Sequence, residues 1–247
     1  MKLKLPLLAL SALMTFLGNV GHAAPLVVNG GFENTSLTAS YEMNTTNVTG
    51  WSTTGYNFLY RSGTATSSGA YTPQWKQQIK LWDTNASGVS NGFPASSPDG
   101  GNFIAADGAY EVAPITQTIN GLAIGGRYNV SFYWAGAQQT GYTGVTTEQW
   151  KVSLGKTTQS TAVATNPSRG FTGWLFQTFT YTATSASEVL SFMAVGTPAG
   201  QPPFSLLDGV SMNAALAVTA VPEPASWTML LLGLVSVGSV KLRRRSA

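Results

Sequence analysis

The chain has 247 residues, 43% of them hydrophobic and only 9% charged, with 27 Gly, 12 Pro and no Cys. A soluble domain is usually about 25% charged, so this surface is built mainly from Ser, Thr, Asn, Gln and Gly. The apolar share is too high for a disordered chain and the charge too low for a coiled coil.

The formal charge of +3 is unevenly placed: between Ala24 and Ala220 seven bases face nine acids, a balance of −2, and the positive excess sits at the two ends. The middle therefore lacks the basic footprint that nucleic-acid binding needs.

In chain order, Lys2 and Lys4 precede an apolar run from Leu5 to Leu17, followed by small residues up to Pro25. A basic start, a short apolar stretch and small residues at Gly21 and Ala23 predict a signal peptide over 1–23, cut by signal peptidase after Ala23.

Residues 24–213 predict one β domain. Apolar and polar residues alternate in Tyr56–Arg61, Tyr128–Trp134 and Gln149–Leu154, and further strand-like runs cover 174–181, 189–195 and 206–212. Each run is bounded by Gly, Pro, Asn or Ser, which is the strand signature. Many strands with no helical pattern between them predict an antiparallel β-sandwich. Residues 61–74 and 83–102 read as loop excursions from it, and 214–220 as a linker.

Chemistry is limited by what is missing. The sole His, His22, falls in the signal peptide and there is no Cys, so the domain has no Ser-His-Asp or Cys-His mechanism and no zinc site built from those side chains. A pair of carboxylates could still hydrolyse a glycosidic bond, but no motif singles one out. Aromatics crowd residues 51–93, and flat rings beside Asn and Gln suit a sugar, whose C–H face stacks while its hydroxyls hydrogen-bond. Trp75, Trp82 and Tyr60 are the expected sugar platforms; Trp51, Phe132, Trp134 and Trp174 are expected in the core.

At the C-terminal end Pro222-Glu223-Pro224 is followed by an apolar stretch to Val240 and by Arg243, Arg244 and Arg245. The prolines break regular structure before a helix from Ala225. Its 16 residues to Val240 span about 24 Å, which Trp227 and the snorkelling arginines extend toward a bilayer. The order of these elements over 221–247 resembles the PEP-CTERM sorting signal of Gram-negative bacteria. That resemblance implies recognition by an exosortase, at least transient residence in the inner membrane, and a polysaccharide-rich cell surface or secretion as the destination.

A second resemblance rests on Leu26-Val27-Val28-Asn29-Gly30-Gly31-Phe32-Glu33, Gly101 to Gly108, Gly126-Arg127-Tyr128 and Leu207-Asp208-Gly209-Val210. Their order is similar to the galactose-binding-like jelly roll found in many carbohydrate-binding modules. It implies a structural Ca²⁺ joining the first and last strands through Glu33 and Asp208, with Gly31 as a carbonyl donor; such an ion takes six to eight oxygens. The expectation is an exported, non-catalytic protein that binds polysaccharide. A glycan hydrolase and a purely structural surface protein remain the alternatives.

Overall fold

A computed structural model describes residues 25–215. The expected signal peptide and the expected C-terminal sorting helix lie outside these residues. The chain divides into two units, Met1–Asn213 and Ala214–Ala247, and the sandwich belongs to the first.

Every regular element among the described residues is a strand. They are β1 (Tyr41–Glu42), β2 (Asn57–Tyr60), β3 (Ala70–Thr72), β4 (Gln77–Ile79), β5 (Phe103–Asp107), β6 (Ile115–Asn120) and β7 (Arg127–Gln138). There follow β8 (Thr146–Leu154), β9 (Thr157–Ser160), β10 (Ala164–Asn166), β11 (Leu175–Thr182), β12 (Ser187–Thr197) and β13 (Pro203–Ala214). An eight-stranded sheet runs β11-β7-β13-β5-β2-β1-β3-β4 and a five-stranded sheet contains β10-β8-β12-β6 with β9 on β8. The expected sandwich is therefore formed, with β1 and β3 paired in parallel as a departure from the antiparallel pattern.

Alternation along the strands decides which side chains enter the core. Phe132, Leu59, Ile104 and Leu207 of the large sheet meet Trp150, Val152, Leu190 and Phe192 of the small one in a buried cluster. Phe132 and Phe192 pack edge-on at 5.1 Å, and the Trp150 indole donates across the sandwich to the Leu206 carbonyl at 2.9 Å. Fully burying each such side chain contributes about 1.5–3 kcal/mol, and the indole bond leaves no orphaned donor in that core.

The other face of the large sheet is covered too. Phe58, Tyr60, Phe103, Ala105, Phe204 and Leu206 point away from the small sheet and pack under Ala65, Leu81, Phe93, Phe171 and Trp174. The excursions at 61–74 and 83–102 thus fold back as a second covering layer, and the first of them contains β3. Of the four aromatics expected in the core, Trp51, Phe132 and Trp134 are buried, while Trp174 is only partly so.

The ends of the domain are joined at Gly30. The Val210 amide of β13 donates to the Gly30 carbonyl at 3.0 Å, and a Cβ on Gly30 would lie 1.8 Å from the Val210 carbonyl oxygen. Only glycine permits that approach, which accounts for the Asn-Gly-Gly run opposite the last strand.

Candidate functional site, an aromatic cavity at the sheet end

Where the second covering layer stops, four loops leave a cavity of about 360 Å³. The β3–β4 hairpin contributes Trp75 and Gln77, the end of β5 and the segment after it contribute Asp107, Ala109 and Tyr110, and residues after β7 contribute Gln139 and Tyr142. Ala199, Gly200 and Pro202 before β13 close one wall, and Tyr56 lies beneath. Gln77 shares its sheet face with Ile79, and Asp107 with Phe103 and Ala105, so strand alternation aims both toward this side.

Three rings stay open to solvent: Trp75 is 55% exposed, Tyr110 39% and Tyr142 39%. Tyr110 meets Tyr56 edge-on at 5.2 Å, and its hydroxyl donates to Glu111 at 2.9 Å. The Gln74 amide donates to the same carboxylate at 2.9 Å. These bonds fix the Tyr110 ring before any ligand arrives. Lys76 and Glu111, flanking the cavity, hold φ of 52° and 42°, a left-handed conformation that costs non-glycine residues energy and recurs at functional sites.

Asp107 supplies the polar focus. Its Oδ1 accepts the Ala109 and Tyr110 amides at 2.8 and 3.1 Å, whereas its Oδ2 is buried with no hydrogen-bond partner. Burial pushes its carboxyl up to about 6, against the lowering effect of the two amides. Tyr56 is raised above its ordinary phenol value, first by burial and then by the charges of Glu42 and Asp107. No Lys or Arg lines the cavity, and Asp107 is its one carboxylate among the described residues. The chemistry on offer is flat apolar faces, amide groups and one carboxylate.

The expected platforms separate here. Trp75 is exposed at the cavity. Trp82 is not a free platform: its indole donates to the Tyr142 carbonyl at 2.8 Å and the Arg169 guanidinium covers its ring at 4.5 Å, so it holds the loop that presents Tyr142. Tyr60 has to be corrected. It is fully buried, stacks on Phe103 at 5.6 Å and donates its hydroxyl to the Ile79 carbonyl at 2.9 Å, because the folded-back excursion covers the face it points to. Tyr110, Tyr142 and Asp107 were not singled out by sequence. Asp107 carried a weak signal, an acid ending an otherwise apolar strand next to Gly108.

Of the expected metal residues, Gly31 lies beside Asp208, and Glu33 is near enough to Asp208 to act on it by its charge. The Asp208 side chain is buried; its Oδ2 accepts the Ser97 hydroxyl and its Oδ1 has no partner. A Cβ on Gly31 would sit 3.1 Å from Asp99 Oδ2 and 4.0 Å from Asp208 Oδ1, so the glycine leaves open the space onto which these oxygens converge. Glu33 Oε1 accepts the Asn102 amide. Burial pushes the Asp208 carboxyl up to about 8, and the charges of Asp99 and Glu33 raise it further. An orphaned oxygen and neighbouring acids suit a hard cation. No group of three or more His, Cys, Asp or Glu side chains is placed to hold a metal among the described residues, so carbonyls and water would complete the shell.

Residues 220–245 match the PEP-CTERM protein-sorting motif, which covers the expected Pro222, Glu223, Pro224, Arg243, Arg244 and Arg245. Halomucin of Haloquadratum walsbyi (strain DSM 16790 / HBSQ001) is 26% identical over 242 residues, 94% of this chain. The chain spans only 2% of the length of that relative. Among solved structures, TmCBM61 in complex with beta-1,4-galactotriose is similar over 78% of this chain and 100% of its own, with a TM-score of 0.39 and 16% identity. The CBM22-1 xylan-binding domain from Paenibacillus barcinonensis Xyn10C is similar over 75% and 98%, with a TM-score of 0.35 and 12% identity. The chain thus carries a β-sandwich followed by a PEP-CTERM sorting motif, which marks an exported protein processed at a membrane.

Proposed function

We propose that this is a non-catalytic glycan-binding protein of the cell surface or extracellular matrix, and that the Trp75–Tyr110–Tyr142 cavity holds a neutral sugar. The observation that carries the reading is a cavity ringed by exposed aromatics, with the Asp107 carboxylate in its lining and no Lys or Arg among its described residues. A sugar's C–H face would stack on Trp75 while its hydroxyls hydrogen-bond to the polar groups of the lining. The absence of a lining base disfavours an acidic sugar here, and a single lining carboxylate supports binding over hydrolysis, which needs two. In this account an exosortase processes the tail at the inner membrane of a Gram-negative cell, and the sandwich retains or organises polysaccharide outside it. Glu33, Asp208 and the Gly31 carbonyl, with Asp99, would hold a structural Ca²⁺ tying the N-terminal segment to β13.

Calorimetric titration with a panel of neutral oligosaccharides tests the binding site. Trp75→Ala should weaken binding by about tenfold or more without lowering the melting temperature, since an exposed ring adds little to the core. Asp107→Asn should also weaken it, and binding to the unaltered protein should decline below about pH 6 as Asp107 takes up a proton. Affinity unchanged by both substitutions would place the sugar elsewhere.

A further inference from the structure

The strands β1, β3 and β4 form the far side of the large sheet, with β3 and β4 lying beyond its central strands. Register places Tyr41 beside Leu59 and Tyr71, and Tyr71 beside Gln78. Leu59 points into the core between the sheets, so Tyr41, Tyr71 and Gln78 share that face. No strand of the small sheet pairs with or lines this region among the described residues. Segment 36–40 passes beside it instead, leaving a groove of about 600 Å³ lined also by Arg61, Thr64 and Ser68.

Gln77 lines the aromatic cavity and Gln78 this groove. Adjacent residues of one strand point to opposite faces, so the two hollows lie on opposite sides of β4. Their chemistry is opposite too. Among the described residues the aromatic cavity has one carboxylate and no base, and the groove one guanidinium and no acid.

Arg61 is held ready. Its Nη2 donates to the Leu37 carbonyl, its amide donates to Ser40 Oγ at 2.8 Å, and its carbonyl accepts the Thr64 hydroxyl at 2.6 Å. Its Nε is buried with no hydrogen-bond partner. The Tyr41 and Tyr71 rings lie 5.5 Å apart, tilted by 43°, and both remain partly open. A half-buried cation without a lining acid, next to two rings and several hydroxyls, fits an anionic pyranose better than a neutral one. A carboxylate supplies the counter-charge that the described lining of the groove lacks.

We propose that this groove is a second glycan site, selective for a carboxylate-bearing sugar, with Arg61 as its counter-charge and Tyr41 and Tyr71 as its stacking surface. It is independent of the neutral-sugar reading of the first cavity, and a protein with both would join two kinds of polysaccharide.

The test is titration of the full-length protein with oligogalacturonate, with its methyl ester as the uncharged control, and with a sulfated galactan oligomer. Oligogalacturonate should bind, more weakly as salt rises, and the methyl ester should bind about tenfold or more weakly. Arg61→Gln and Tyr71→Ala should each abolish that preference, Arg61→Lys should keep part of it, and Trp75→Ala should leave it unchanged. Equal binding of acid and ester, preference for the sulfated oligomer, or loss on Trp75→Ala would overturn the proposal. If Arg61→Gln fails to fold, Tyr71→Ala and Arg61→Lys decide. Concentration-dependent sedimentation abolished by Tyr71→Ala would assign the groove to a second copy of the chain and equally overturn it.

Discussion

Replacing Glu148 by glutamine isolates one buried proton. Glu148 sits in β8 on the face that meets the large sheet and is fully buried. Its Oε1 accepts the Thr146 hydroxyl, while its Oε2 has no partner and lies 2.6 Å from where a Cβ on Gly136 would be. The buried Asn166 Oδ1 also lacks a partner, and Asn166 is close enough to hydrogen-bond the carboxyl. A proton on the carboxyl removes the charge that burial penalises. Burial raises the Glu148 carboxyl from 4.5 to about 8, outweighing the hydrogen bonds from Thr146 and Asn166.

The sign follows from linkage. As pH rises through about 4.5 the unfolded chain ionises while the folded chain keeps its proton until about pH 8, so stability falls across that window. At about 1.4 kcal/mol for each tenfold change, the loss has a ceiling of about 5 kcal/mol, reached above pH 8. A glutamine at this position cannot ionise, keeps an acceptor for Thr146 and offers an amide donor to Asn166. Urea unfolding of both proteins at about pH 5, 7 and 9 should therefore find the advantage of Glu148→Gln growing with pH. Because Asp107 and Asp208 titrate alike in both proteins, the difference between them reports Glu148. An advantage that does not change with pH, or a variant less stable than the parent at about pH 9, would refute the buried-proton account.

Tyr60→Phe removes one internal hydrogen bond and should cost about 1 kcal/mol of stability while leaving sugar affinity intact; reduced affinity with unchanged stability would return Tyr60 to the binding surface. Millimolar Ca²⁺ should raise the melting temperature and a chelator lower it, with both responses lost in Asp208→Asn, whereas a melting temperature indifferent to Ca²⁺ would remove the metal. Intact mass of the exported protein should lack Arg243, Arg244 and Arg245; their retention would contradict processing at the sorting motif.

Strand positions were legible because a half-buried strand must alternate: the runs at 128–134 and 149–154 lie within β7 and β8. What alternation cannot tell is what covers the second face of a sheet. Phe58 and Tyr60 alternate like surface aromatics, yet Ala65, Leu81 and Phe93 from the excursions and their flanks bury that face, and these segments have no period to betray their role. The candidate site was half legible for the same reason. Trp75 stands out by residue type, but Tyr110 and Tyr142 reach it from loops far apart in sequence, and Asp107 joins the lining only once the chain is folded. The sorting signal was the most readable part, since its information is linear.

A crystal structure of the protein with a bound neutral oligosaccharide tests the central claim most directly. The account predicts a sugar ring stacked on Trp75, with a hydroxyl donating to the Asp107 carboxylate and contacts to Tyr110 and Tyr142. A sugar bound away from this cavity, or no sugar bound at saturating concentration, would contradict it.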